Sequence, residues 1–360
     1  MIEIIHDSRS DYVIELLHQL LCHDVEEGLQ TWSAVFDQWR EAWRVSDCQR
    51  LLREIKRTAL PSELEPVALL LARSSEGMLA VQLGNLDKAI VRYQQAIAIA
   101  QRMQNPAGEV GLLADLGNLY CLTNKFAQAE ECLKQALMIY KELKHSAGQA
   151  RTLANLGNVY RDNGRFPEAT TCYQQAIPIL EQHEQYDVVA ITLANLGTIY
   201  QLQEAWAAAE DSYGKALSLF LEMGYQHEQA QVLGNLGTLY VDNGRFQEAL
   251  ACFLQDLELM QQLGDHASQS RTLNNLAIAY RHLGRLNEAQ QCYENSLTLK
   301  RELGDQSGEL TTLVNLCYLL QTGEEPEVAR LYLQEAKTLA QMLHDDTCLT
   351  QLEQMALGVT

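Results

Sequence analysis

Proline is scarce, with six in 360 residues, so little interrupts long helices. No run of about 18 apolar residues could cross a bilayer. The opening stretch, Met1 to Ser10, lacks the charged and apolar regions of an export signal. The nine cysteines are odd in number and form no Cys-x-x-Cys pair, which predicts free thiols in a reducing compartment and hence the cytoplasm. Basic residues are also short: 27 against 47 acidic, a formal charge of −20. That balance repels phosphate backbones and anionic lipid, so neither nucleic acid nor membrane is an expected partner. The motifs of nucleotide loops, zinc proteases and serine hydrolases are all missing. We therefore expect no cofactor, no metal and no enzyme activity, and the sequence does not fix an oligomeric state.

What is present is a repeat. Sliding the chain by 40 residues superposes LADLGNLY (113–120), LANLGNVY (153–160), LANLGTIY (193–200), LGNLGTLY (233–240), LNNLAIAY (273–280) and LVNLCYLL (313–320) without a slip in register. A second block follows each at constant distance, such as NGRFPEATTCYQQAI (163–177) and NGRFQEALACFLQDL (243–257). In the first of these, Phe166, Ala169, Tyr173, Ala176 and Ile177 fall on one helical face. The unit is helix A, a short turn, then helix B. A fixed period of this size marks stacked supersecondary units, each unable to bury its apolar face alone. Turns such as Asn163-Gly164 and Asn243-Gly244 end helix A. The arginines after them, Arg165, Arg245 and Arg285, suit a dipole or surface role. Pro178 falls inside a B helix, where a kink is expected. Cys132, Cys172, Cys252 and Cys292 share one helix B position, as duplication produces, at spacings unsuited to a metal site.

Gly117, Gly157, Gly197 and Gly237 on helix A are expected to face Ala129, Ala169, Ala209 and Ala249 on helix B, with Tyr120, Tyr160, Tyr200, Tyr240 and Tyr280 filling wider gaps. This small-small-aromatic pattern resembles the tetratricopeptide repeat family over about residues 66–343. It is especially similar to the 40-residue variant of kinesin light chains and Leu-Gly-Asn repeat adaptors. The resemblance implies an all-α, right-handed α-solenoid: seven repeats over 61–345, an amino-terminal helical region over 1–60, and a carboxy-terminal capping helix over 346–360. The first repeat has Ser75 where the third to seventh carry asparagine, and in the last Cys317 and Leu320 replace glycine and tyrosine.

Helix A residues not needed for packing form a separate polar stripe. In the third repeat these are Arg151, Asn155, Asn158, Arg161 and Asp162. Equivalent stripes carry Asn195, Thr198 and Gln201, then Gln231, Asn235 and Thr238, then Arg271, Asn275 and Arg281, then Asn315 and Gln321. Asparagine offers one acceptor and one donor group, matching a peptide backbone whatever its sequence. The resemblance implies that this face is concave and that Asn155, Asn195, Asn235, Asn275 and Asn315 contact a ligand's main chain. Arg151, Arg161, Arg271 and Arg281 could bond ligand carboxylates, or the polar groups could merely satisfy one another. Asp115 breaks the ladder in the second repeat. The expected partner is a protein or peptide, and the chain reads as a scaffold or adaptor.

Residues 8–59 do not align with the repeat and read as three helices, Ser8 to Cys22, Val25 to Trp43 and Asp47 to Ala59. Trp32, Phe36, Trp39 and Trp43 lie on one stripe, which suits a core, or a docking surface carried by Trp32, Trp39 and Trp43. A helical head on a solenoid also resembles, in length and order, the bacterial Rap family. That layout implies the alternative of a peptide-responsive regulator whose solenoid changes shape and alters how the head engages a second protein.

Overall fold

The computed structural model describes residues 10–320 and 326–357, so Gln321 lies outside the described residues. Among them are eighteen helices and no strand. Three form the head: α1 (Ser10–His23), α2 (Val25–Glu41) and α3 (Val45–Arg57). Seven hairpins follow, α4 (Glu65–Gln82) with α5 (Leu86–Arg102), α6 (Pro106–Leu122) with α7 (Phe126–Glu142), α8 (Ser146–Asp162) with α9 (Phe166–Gln182), and α10 (Tyr186–Leu202) with α11 (Trp206–Met223). The remainder are α12 (Gln226–Asp242) with α13 (Phe246–Leu263), α14 (His266–His282) with α15 (Leu286–Leu303), and α16 (Gln306–Leu320) with α17 (Pro326–Met342). A last helix, α18 (Asp346–Leu357), packs on α17. The chain divides into two compact units, 1–183 and 184–360.

Within each unit a hairpin's two helices pack together and its B helix packs on the next A helix. The A helices of neighbouring hairpins also touch, α6 with α8 in the first unit, and α10 with α12 and α12 with α14 in the second. The glycines of helix A are the reason these helices sit close. Gly157, Gly197 and Gly237 face an aromatic ring, however, more closely than the alanines expected from the sequence, whereas Gly117 faces Leu133 and the Ala129 carbonyl. A Cβ built on Gly157 would lie 2.3 Å from the Tyr173 ring, one on Gly197 2.8 Å from Tyr213, and one on Gly237 2.4 Å from Phe253. Each ring thus occupies the volume that a side chain on helix A would need.

Helix A ends with one residue in the left-handed region, which glycine adopts without steric penalty. Gly164 (φ 72°) and Gly244 (φ 72°) fill that place, whereas Asn124 (φ 57°) and Glu204 (φ 57°) adopt it despite their side chains. Helix α9 continues through Pro178, which lies on its exposed side.

Candidate functional site

The A-helix stripe is part framework and part open. In the first unit Asn155 is half-buried and has no side-chain hydrogen-bond partner among the described residues. Asn158 instead accepts a hydrogen bond from the Tyr173 hydroxyl at 2.7 Å, tying helix A to helix B. Arg161 pairs with its neighbour Asp162 at 2.8 Å, and Asp162 also receives the Cys121 thiol of the preceding repeat at 3.4 Å. Arg151 is exposed.

In the second unit the Gln201 amide donates to Asp242 at 2.7 Å, and the Asn315 amide donates to Asn274 at 3.1 Å. Both bonds join one A helix to the next. Asn235 is exposed and Asn275 half-buried, and neither has a side-chain partner among the described residues. Asn195 is half-buried. Arg271 is exposed and donates to the Ser268 hydroxyl at 2.9 Å. Arg281 has no ion-pair partner among the described residues.

Asn235 and Asn275 line one polar cleft of about 340 Å³ between α12, α13 and α14, with Gln231, Thr238, Arg271 and Asp256. Asp256 is the residue that motif reading missed. Its position on helix B holds Ala96, Ala136, Ala176, Ala216, Ser296 and Ala336 in the other repeats. The A-helix position opposite is Ala114, Ala154 and Ala194 in the three preceding repeats but Gly234 in this one. The exchange is complementary, since a Cβ on Gly234 would lie 3.2 Å from the Asp256 carboxylate. Asp256 is 6% exposed. It accepts the Thr272 hydroxyl at 2.7 Å and has no ion-pair partner among the described residues. Burial pushes its carboxyl up to about 6 from an ordinary 3.8. Comparing each repeat column for its single charged member would have found it.

The turn arginines are structural clamps. Arg245 lies over the Tyr240 ring, 4.3 Å from its centroid, and pairs with Glu210 at 2.7 Å and Glu248 at 3.0 Å. Arg165 repeats the arrangement on Tyr160 with Glu130 and Glu168. Glu130 and Glu210 come from the preceding repeat, so the clamp fastens repeat to repeat. The hydrogen bond from Arg245 holds the Glu210 carboxyl below its ordinary value.

In the head, burial overturns a docking role for two of the tryptophans. Trp32 is 0% and Trp39 1% exposed, inside a core with Leu17, Leu21, Phe36 and Leu51. The Trp32 indole donates to the Leu51 carbonyl at 3.2 Å. Trp43 alone of the three is open, at 66%, because α2 ends at Glu41 and the chain turns there. Cys132, Cys172 and Cys252 are half-buried free thiols pushed up to about 11 by burial. No helix among the described residues is long and apolar enough to cross a membrane.

Among solved structures, the apo form of the quorum sensor NprR from B. thuringiensis aligns over 91% of this chain and 92% of its own, with TM-score 0.69 and 16% identity. Aspartyl phosphate phosphatase F from Bacillus subtilis aligns over 87% of this chain and 94% of its own, with TM-score 0.61 and 13% identity. A Rap protein complexed with competence and sporulation factor aligns over 92% and 97%, with TM-score 0.55 and 14% identity. At these identities the likeness is one of fold. No curated protein matches the sequence significantly. The tetratricopeptide repeat family model matches residues 69–142, 109–182, 148–222, 188–262, 228–302 and 268–342. With that model spanning 69–342 in overlapping pairs of hairpins, the chain belongs to the tetratricopeptide repeat family.

Proposed function

We propose that the chain is a protein-interaction module that holds an extended segment of a partner polypeptide against the A-helix face of its repeats. One observation carries this reading. Asn235 and Asn275, at the same position of successive repeats, line one polar cleft with no partner for their amides among the described residues. Paired donor and acceptor groups presented this way can bond a peptide main chain without regard to its side chains. Asn155 offers the same chemistry in the first unit. Asn158, Arg161 and Asn315 contribute less, because their polar groups already join helices or neighbours. The acidic surface disfavours nucleic acid and anionic lipid as alternatives.

The test is selection of peptides from a displayed random library on the wild type and on an Asn155→Ala/Asn195→Ala/Asn235→Ala variant of equal helicity. Peptides retained by the wild type and lost by the variant support the reading. Equal retention by both moves the binding surface elsewhere, with exposed Trp43 as the next candidate.

A second reading is a peptide-responsive regulator. It is favoured by the alignment of the quorum sensor NprR over 91% of this chain and of the Rap complex over 92%. On this reading a bound peptide changes the solenoid and thereby the surface offered by α1–α3. Small-angle scattering separates the two: a regulator compacts when a selected peptide is added, and a passive scaffold keeps its radius of gyration.

A further inference from the structure

We infer that the cleft between α12, α13 and α14 takes one cationic group of the bound peptide, a lysine or arginine side chain or a free amino terminus, against the Asp256 carboxylate. The inference rests on the peptide-binding reading and adds the chemistry of one ligand position. Three observations carry it. The wall position that is small and uncharged in six other repeats holds a carboxylate here, and Gly234 leaves room for it. That carboxylate is 6% exposed, yet it belongs to a cleft continuous with the asparagine face. Its one hydrogen bond from a side chain is from the neutral Thr272 hydroxyl, and it lacks an ion pair among the described residues. Buried carboxylates ordinarily have a cationic partner, because an unpaired buried charge is costly. A ligand cation entering the cleft supplies it through a charge-assisted hydrogen bond.

Two other groups bear on the field there. Arg271 lines the cleft and favours the ionised carboxylate from a distance, while Asp265 opposes it. Arg271 is exposed and bonded to the Ser268 hydroxyl, so it flanks the cleft without neutralising Asp256. The inference also reverses the preference for acidic ligands that the stripe arginines suggested. Of those four, Arg161 is tied to Asp162, and in this cleft the deepest charge is negative.

The probes are peptides selected from a displayed random library on the wild type, with affinities measured for wild type, Asp256→Asn, Arg271→Ala and Asn235→Ala/Asn275→Ala. Selected peptides are expected to share a lysine or arginine, or to lose binding when their amino terminus is acetylated. Replacing that cation by a neutral group (norleucine, citrulline or the acetyl cap) is expected to weaken binding to the wild type at least roughly tenfold, as for a hydrogen bond to a charged group. On Asp256→Asn the same replacement is expected to make little difference. An equal loss on both proteins overturns the inference, as does selection of acidic peptides whose binding is lost in Arg271→Ala. Peptides that depend on Asn235 and Asn275 but carry no required cation overturn the inference and leave the peptide-binding reading standing. Peptides indifferent to the asparagines, or no selected peptide at all, overturn both.

Discussion

Asp256→Ala is expected to make the protein more stable at neutral pH. The carboxyl ionises in the folded state near 6 against an ordinary 3.8, so in the intervening range the folded chain binds the proton more tightly than the unfolded one. Stability therefore falls as pH rises from about 4 to about 6, and the deficit stays constant above that. At about 1.4 kcal/mol per pH unit, the ionised group opposes folding by about 3 kcal/mol at pH 7.5. Alanine removes that opposition and the hydrogen bond from Thr272, worth about 1 kcal/mol. Part of the second loss is recovered, because the Thr272 hydroxyl also lies 3.1 Å from the Ser268 carbonyl. The net expectation is about 2 kcal/mol of stabilisation at pH 7.5, shrinking to nothing or reversing at pH 4. Repeat proteins need not unfold in one step, so the measurement combines urea denaturation at both pH values with hydrogen exchange of α12 to α14. Destabilisation at pH 7.5, or a gain independent of pH, would refute the assignment of Asp256 as an unpaired buried carboxylate.

Four other substitutions probe packing and backbone. Gly157→Ala places a methyl in the Tyr173 ring, and because that ring is fully buried and its hydroxyl is bonded to Asn158 it cannot swing away. Against a helix-propensity gain of about 1 kcal/mol, overpacking should win and lower stability by about 1–2 kcal/mol in thermal or urea unfolding. Glu204→Gly relieves a left-handed backbone that glycine already fills in four other repeats, and should raise stability by about 0.5–1 kcal/mol in the same assay. Trp39→Ala should cost about 3–5 kcal/mol and expose α1–α3 to limited proteolysis, while Trp43→Ala changes neither.

The periodic parts of this chain were legible because repetition is a property of sequence. Register at 40 residues and the unit of helix A, turn and helix B follow from apolar spacing and turn residues. Side-chain destinations were less legible. Gly157 and Tyr173 are 16 residues apart on different helices, and only the crossing of α8 and α9 shows that the glycine accommodates the ring. Asn158 and Asn155 look equivalent on a helical wheel, yet one is committed to Tyr173 and the other is open. The Arg245 clamp was unreadable for a similar reason: its partner Glu210 lies a repeat away, and a local reading left the arginine at a helix end. Trp32 and Trp43 share a stripe in sequence, but α2 stops at Glu41 and carries one into the core and the other out of it.

Asp256 also bears on how a repetitive surface can choose a binding register. Asparagines at one position of successive repeats present nearly the same donor and acceptor pattern, and a peptide main chain presents nearly the same pattern at each residue. Such a surface binds extended chains in many alignments of similar energy, which gives affinity without a unique pose. A single departure from the repeat breaks that degeneracy. The substitution of alanine by aspartate, with glycine opposite, creates the one charged wall position in its column, so only alignments that bring a cation to this cleft gain the additional bond. On the stability reasoning above, the unliganded protein carries this residue at a net disadvantage of about 2 kcal/mol at neutral pH. Occupation by a cation removes much of it. Ligand binding and local stability in α12 to α14 are then linked, so a peptide with the cation should protect these amides from exchange more than its neutral analogue bound to the same occupancy.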